Sequence, residues 1–170
     1  MIRLEKTRFG TITIDESAEI RFARGLIGFS GETRFALLER ERGPIAYLQS
    51  LNTPGLALPV VDARHLQPGY PETGDDLAGK AGLDREDNLV LVVLAIDPLD
   101  GTLRANLLAP LVIDAKNRSG AQIILDPEKY GPSVQLGSAP GTRETDHPIS
   151  AVRSVDSAVA KVTAALASNG

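Results

Sequence analysis

The sequence predicts a mainly β protein: an antiparallel, barrel-like domain of about ten short strands with one or two short helices, then a C-terminal tail with helical spacing. Three observations predict it. Apolar and polar residues alternate at period two through much of residues 1–130, as half-buried strands do. Gly, Pro, Asn and Asp recur at roughly 8–12 residue intervals, the turn spacing of sandwiches and barrels. One run, "NLVLVVLAI" at 88–96, is apolar on both faces and needs cover on both sides; Val93 within it is expected to be buried.

The elements follow in order. "TITI" (11–14) alternates strictly, and "KTRFG" (6–10) before it supplies the turn of a first hairpin. "AEIRF" sets Ala18, Ile20 and Phe22 on one face and Glu19 and Arg21 on the other. "RFALLE" (34–39), "IAYLQS" (45–50) and "LALPVV" (56–61) come next, parted by Gly, Pro, Asn or Thr. "TGDDLAGKAGLDRED" (73–87) predicts a short helix capped by Asp75, with Leu77 and Ala81 one turn apart. Gly79 and Gly82 limit it to one or two turns. After the buried run, "DPLDG" (97–101) is a turn in which Pro98 presets φ and Gly101 takes the left-handed conformation. "TLRANLL", "PLVID" and "AQIIL" (121–125) complete the set. Residues 1–130 thus read as one β domain. Residues 131–148, "GPSVQLGSAPGTRETDHP", read as a linker. In the tail, 149–170, Val152, Val155, Val159, Val162 and Leu166 form a narrow helical stripe. The stripe suits a helix docked on the barrel, with a frayed tail or a partner-binding helix as the alternatives, and the tail is expected to be dispensable for the barrel.

Composition narrows the function. The chain has 170 residues, no cysteine and a formal charge of −4, from 18 basic and 22 acidic residues. Disulfides, thiolate nucleophiles and cysteine-based metal sites are excluded. The basic residues are scattered, without the clustering that displaces counterions from nucleic acid, so no direct nucleic-acid partner is expected. The charged start "MIRLEKTRFG" has no apolar signal core, and no run approaches a bilayer span. The expectation is a soluble, cytoplasmic protein without a membrane partner.

Chemistry-bearing motifs are scarce. His65 and His147 lie far apart, with no metal-ligand spacing. Ser30 in "GFSGE" lacks the second glycine of a nucleophile elbow. Gly25, Gly28 and Gly31 match neither a dinucleotide fingerprint nor a P-loop and suit a tight loop. Asp97 and Asp100 suit the turn they occupy. No enzyme, cofactor or metal is expected.

One segment is more specific. "ANLLAPLVIDAKNRSGAQIILD" (105–126) resembles the signature of the FliW family of flagellar assembly factors: A-N-L-x-A-P-[IL]-V-I-[ND], a turn with R-x-G, then Q-x-[IV]-L. Ala105, Asn106, Leu107, Ala109, Pro110, Val112, Ile113, Arg118, Gly120, Gln122 and Leu125 match it. "YLQSLNTPGLALPVVD" (47–62) and "FGTITIDESAEIRFARGLIGF" (9–29) resemble two further family segments, so the likeness spans about residues 1–130. The chain departs from the pattern at Ala23 and Ile27, where the family carries prolines, and at Pro59 and Ala63.

The resemblance implies a barrel-like, non-catalytic protein, monomeric alone and chaperone-like. It implies two partners: flagellin, and the translational repressor CsrA, which such a protein keeps off flagellin mRNA until flagellin displaces it. Pro110 cannot donate to a ladder and belongs at an edge or a break between strands; an unpaired edge accepts another chain. Gln49, Asn106, Pro110, Arg118 and Gln122 are the candidate partner-binding residues. The plainer alternative for Asn106, Arg118 and Gln122 is satisfying turn or bulge backbone groups. A second function class is a cytoplasmic β-barrel enzyme or small-molecule binder using an interior cavity. The barrel interior separates the two: aliphatic filling leaves no room for substrate.

Overall fold

In the computed structural model, which describes residues 1–40, 43–66, 70, 74–83, 88–130, 134–138 and 149–151, the chain opens with a hairpin of β1 (Ile2–Thr7) and β2 (Gly10–Ile14). Lys6 and Gly10 take positive φ at its bend, and the Thr7 hydroxyl donates to the Gly10 carbonyl at 2.6 Å. A 3-10 turn at Glu16–Ala18, capped by Asp15, leads into β3 (Ile20–Phe22). Then come β4 (Arg34–Arg40), β5 (Ile45–Ser50), β6 (Ala57–Asp62), α1 (Gly74–Ala81) and β7 (Asn88–Ile96). β8 (Thr102–Ala105), β9 (Leu111–Asp114), β10 (Ser119–Gln122), β11 (Val134–Ser138) and β12 (Ile149–Ala151) complete the described elements.

Seven strands close into a barrel in the order β7-β6-β5-β4-β3-β10-β9, with β9 pairing back onto β7. Every pair in the ring is antiparallel except β3 with β10, which is parallel. The wholly antiparallel sheet expected from the sequence is corrected at that one seam. A parallel pair joins strands far apart in the chain, so no local turn announces it.

Period-two alternation around the ring sorts side chains to two faces. Inward lie Ile20, Phe22, Phe35, Leu37, Leu48, Val60, Leu89, Leu91, Leu111 and Ile113, all buried. Gly120 faces the same interior, where an added Cβ would come 2.5 Å from the Phe22 ring. Phe22 and Phe35 meet edge to face at 5.5 Å, a favoured aromatic geometry. The outer face of β4 to β7 and β9 carries a second core, with Ala36, Leu38, Tyr47, Val61, Val92 and Val112. Leu4 and Ile14 of the first hairpin, Leu77 and Ala78 of α1, and Leu103 and Ala105 of β8 belong to that second core. β7 is therefore covered on both sides, as its apolar text requires.

Four further expectations change. Val93 is only partly buried, whereas its neighbour Val92 is fully buried; the strand assignment holds, but β7 is less covered at Val93. Asp75 lies inside the first turn of α1 rather than ahead of it. The expected linker contains β11, which pairs with β8 from Val134↔Ala105 to Ser138↔Thr102. The expected tail helix starts instead as β12, whose Ile149–Ala151 pair with Arg40–Leu38 of β4; residues 152–170 lie outside the described residues. Ladder hydrogen bonds to distant strands override a Gly/Pro-rich text there.

Candidate interaction surface

The signature segment is built as an irregular arm and a tight turn between paired strands. β8 ends at Ala105, residues 106–110 leave the ladder, and Pro110 immediately precedes β9. Asn106 donates its backbone N–H to the Val93 carbonyl at 3.0 Å, while its Oδ1 accepts from Leu108 N at 3.1 Å. The side chain thus replaces the ladder where the chain turns away. The Leu107 carbonyl accepts from the Tyr70 hydroxyl at 2.6 Å. Burial, and secondly the neighbouring Tyr130, raises the Tyr70 phenol above its usual pKa.

Pro110 is buried, and its carbonyl accepts from Ile123 N at 3.0 Å. It marks the break anticipated from its missing N–H. It does not mark an open edge, because β9 is paired on one side with β7 and on the other with β10. Arg118 holds the β9–β10 turn in the left-handed region, φ 51°. Its carbonyl accepts from Arg21 N at 2.9 Å and its guanidinium donates to the Ser17 carbonyl. Gln122 spans two segments: its Nε2 donates to the Ala109 carbonyl at 3.1 Å and its Oε1 accepts from Ile27 N at 2.7 Å.

Gln49 is wholly buried and its amide donates to the Ser50, Pro54 and Leu56 carbonyls. A residue so placed shapes the 50–56 turn and meets no partner without that turn opening. Gln122 reaches Ala109, beside Pro110 in the arm that begins at Asn106, whereas Arg118 lies at the opposite, turn end of the β9–β10 hairpin and Gln49 sits apart in β5. The side chains of Gln49, Asn106, Arg118 and Gln122 each bond backbone groups in the free protein.

Gln122 also holds a loop whose surface sequence reasoning missed. The loop held by Gln122 is tight: Leu26 and Phe29 exchange backbone hydrogen bonds at 3.2 and 2.8 Å, and Gly25 and Gly28 take positive φ. At Gly25 any Cβ would lie 2.5 Å from the Ser30 carbonyl oxygen, so only glycine fits. The loop exposes Ile27 and Phe29, 58% and 41% accessible. Ile124, two residues beyond Gln122, is 68% accessible. The one signal available in the sequence was Ile27 itself, an apolar residue between the two glycines of "GLIGF". Beside the loop, Glu19 grips Arg34 through two hydrogen bonds of 3.0 and 2.9 Å and also pairs with Arg21 at 3.0 Å. The hydrogen bond from Arg34, with the charges of Arg34 and Arg21, holds the Glu19 carboxyl below its ordinary pKa against the opposing effect of burial.

Asp97 and Asp100 each accept a backbone N–H two residues on at 2.8 Å, as turn aspartates do. His65 lies in a 3-10 turn, and His147 lies outside the described residues. Among the described residues no cluster of three His, Asp or Glu is placed to hold a metal.

The family model described as FliW protein matches residues 3–136. The chain belongs to the FliW family. It is 36% identical over 132 residues to the flagellar assembly factor FliW of Syntrophus aciditrophicus, covering 76% of this chain and 84% of that protein. It is 38% identical over 124 residues to the flagellar assembly factor FliW of Geobacillus kaustophilus, covering 71% and 85%. A solved structure described as the crystal structure of the flagellar assembly factor FliW superposes with a TM-score of 0.68 at 33% identity, over 79% of this chain and 96% of that one. The FliW fold and the likeness read from residues 105–126 agree, and the chain is a flagellar assembly factor by family.

Proposed function

We propose that this FliW-family protein acts in the cytoplasm as a non-catalytic regulator that binds flagellin and, in flagellin's absence, binds CsrA and keeps it off flagellin mRNA. The observation that carries the reading is the barrel interior. It is filled by aliphatic and aromatic side chains from all parts of the ring, several of them with no exposed surface. A small-molecule or enzymatic barrel needs a concave site with convergent polar groups. Here the buried polar side chains on inward positions sit at strand ends, Ser50 bonded to Glu32 and Asp62 to Arg64, and each serves a neighbouring turn. The Ile27, Phe29 and Ile124 surface is where a protein partner would bury apolar area. Copurification from the native cell tests the proposal: flagellin and CsrA should be recovered in separate complexes, and recovery of neither would overturn it.

A further inference from the structure

Past the end of β3 the ring leaves a stretch of the β4 edge uncovered by its own strands. β3 pairs with β4 only at Phe35 and Arg34, so the far half of β4 extends past it. That half is taken by β12 through Leu38, Glu39 and Arg40. β12 lies beyond residue 136, where the match to the family model ends. A bare strand edge is a template for any extended chain, and proteins cover such edges when they are not in use.

We propose that the Leu38–Arg40 edge of β4 is a docking site for an extended, acidic segment of a protein partner, and that β12 occupies this edge as a competitor built into the chain. Three features argue for it. The cover is three residues long, at the short limit of strand length, so an outside segment has few ladder bonds to displace. Leu38 and Arg40 share the sheet face of Tyr47, which selects apolar or small residues at alternate positions of the incoming strand. The end of the site is cationic. The Arg40 and Arg8 guanidiniums lie 5.9 and 4.9 Å from the Tyr47 ring centre, and Arg40 Nε is buried without a hydrogen-bond partner among the described residues. A carboxylate on the incoming segment would supply that partner, which an unsatisfied buried donor favours. Being part of the same molecule, β12 competes at an effective concentration on the order of millimolar. It therefore lowers the apparent affinity of any outside strand without touching the rest of the surface.

The chain has no cysteine, so a single engineered pair can lock the cover reversibly. Glu39 and Ser150 are directly opposed, which brings Cβ atoms to about 4.5–5.5 Å, near disulfide reach. The probe is a labelled synthetic peptide of residues 144–153, read by fluorescence anisotropy against the full chain. Glu39→Cys with Ser150→Cys should form the disulfide, bind no peptide when oxidised, and regain binding on reduction. Ile149→Pro with Ser150→Pro removes consecutive strand N–H groups, leaves β4 unaltered, and should bind the peptide at least about tenfold more tightly than the natural chain. Failure of the disulfide to form, equal binding by oxidised and reduced protein, or no gain from the proline pair would each overturn the proposal.

Discussion

Gly120 and Gln122 show what single residues of the signature do. Gly120→Ala would press a methyl into the Phe22 ring, 2.5 Å away in a filled interior. Overpacking of that kind costs about 1–3 kcal/mol, so its thermal midpoint should fall measurably while the unfolding transition stays cooperative. Gln122→Ala removes the link between Ile27 N and the Ala109 carbonyl. The stability loss should be small, about 1 kcal/mol. Its main effect should be on the exposed loop, seen as faster amide exchange at Ile27, with partner affinity reduced more than stability. Residues of this sort were legible in the sequence as important but not in role. Period-two spacing marks Gln122 as strand, yet its partners lie 95 residues before it and 13 before it in the chain. The burial of Gln49 was likewise hidden, because a polar letter in a strand does not reveal that three carbonyls of one turn surround it.

The long strand β7 carries the clearest prediction at the scale of an element. Val92→Asp would bury an unpaired carboxylate between two covered faces and should cost several kcal/mol, enough to unfold a typical domain. Val93→Asp, at a partly exposed position, should cost distinctly less. Equal midpoints in a denaturant series would contradict the sorting of the two faces. Elements with local causes were readable: the first hairpin from its turn residues, the Asp97–Gly101 turn from Pro98 and Gly101, β7 from its two apolar faces. β11 and β12 were not. Their residues sit among Gly, Pro, Ser and Thr, and what makes them strands is ladder pairing to β8 and β4, which no local pattern encodes. The closing β7–β9 pair and the parallel β3–β10 pair were hidden for the same reason.

For the whole molecule, charge sets the conditions of action. Folding lowers the Glu19 pKa, so the stability that Glu19 contributes is fully present above the ordinary carboxylate value and is lost as pH falls through the lowered one. The difference in melting temperature between the natural protein and Glu19→Gln should therefore shrink on acidification; a difference that stayed constant would contradict the pairing with Arg34. The net charge of −4 bears on the proposed partners too. If an acidic FliW-family protein docks beside the RNA surface of CsrA, its field repels RNA, and salt screens that repulsion over roughly 8–10 Å. RNA exclusion by a saturated complex should then weaken as salt rises, and equal exclusion at two salt concentrations would leave blocking by shape as the mechanism. The most direct measurement of the central claim is competition calorimetry on the full chain, with flagellin titrated into its complex with CsrA. The account predicts that each protein binds alone and that flagellin displaces CsrA. Absence of binding by either, or simultaneous binding of both without displacement, would contradict it.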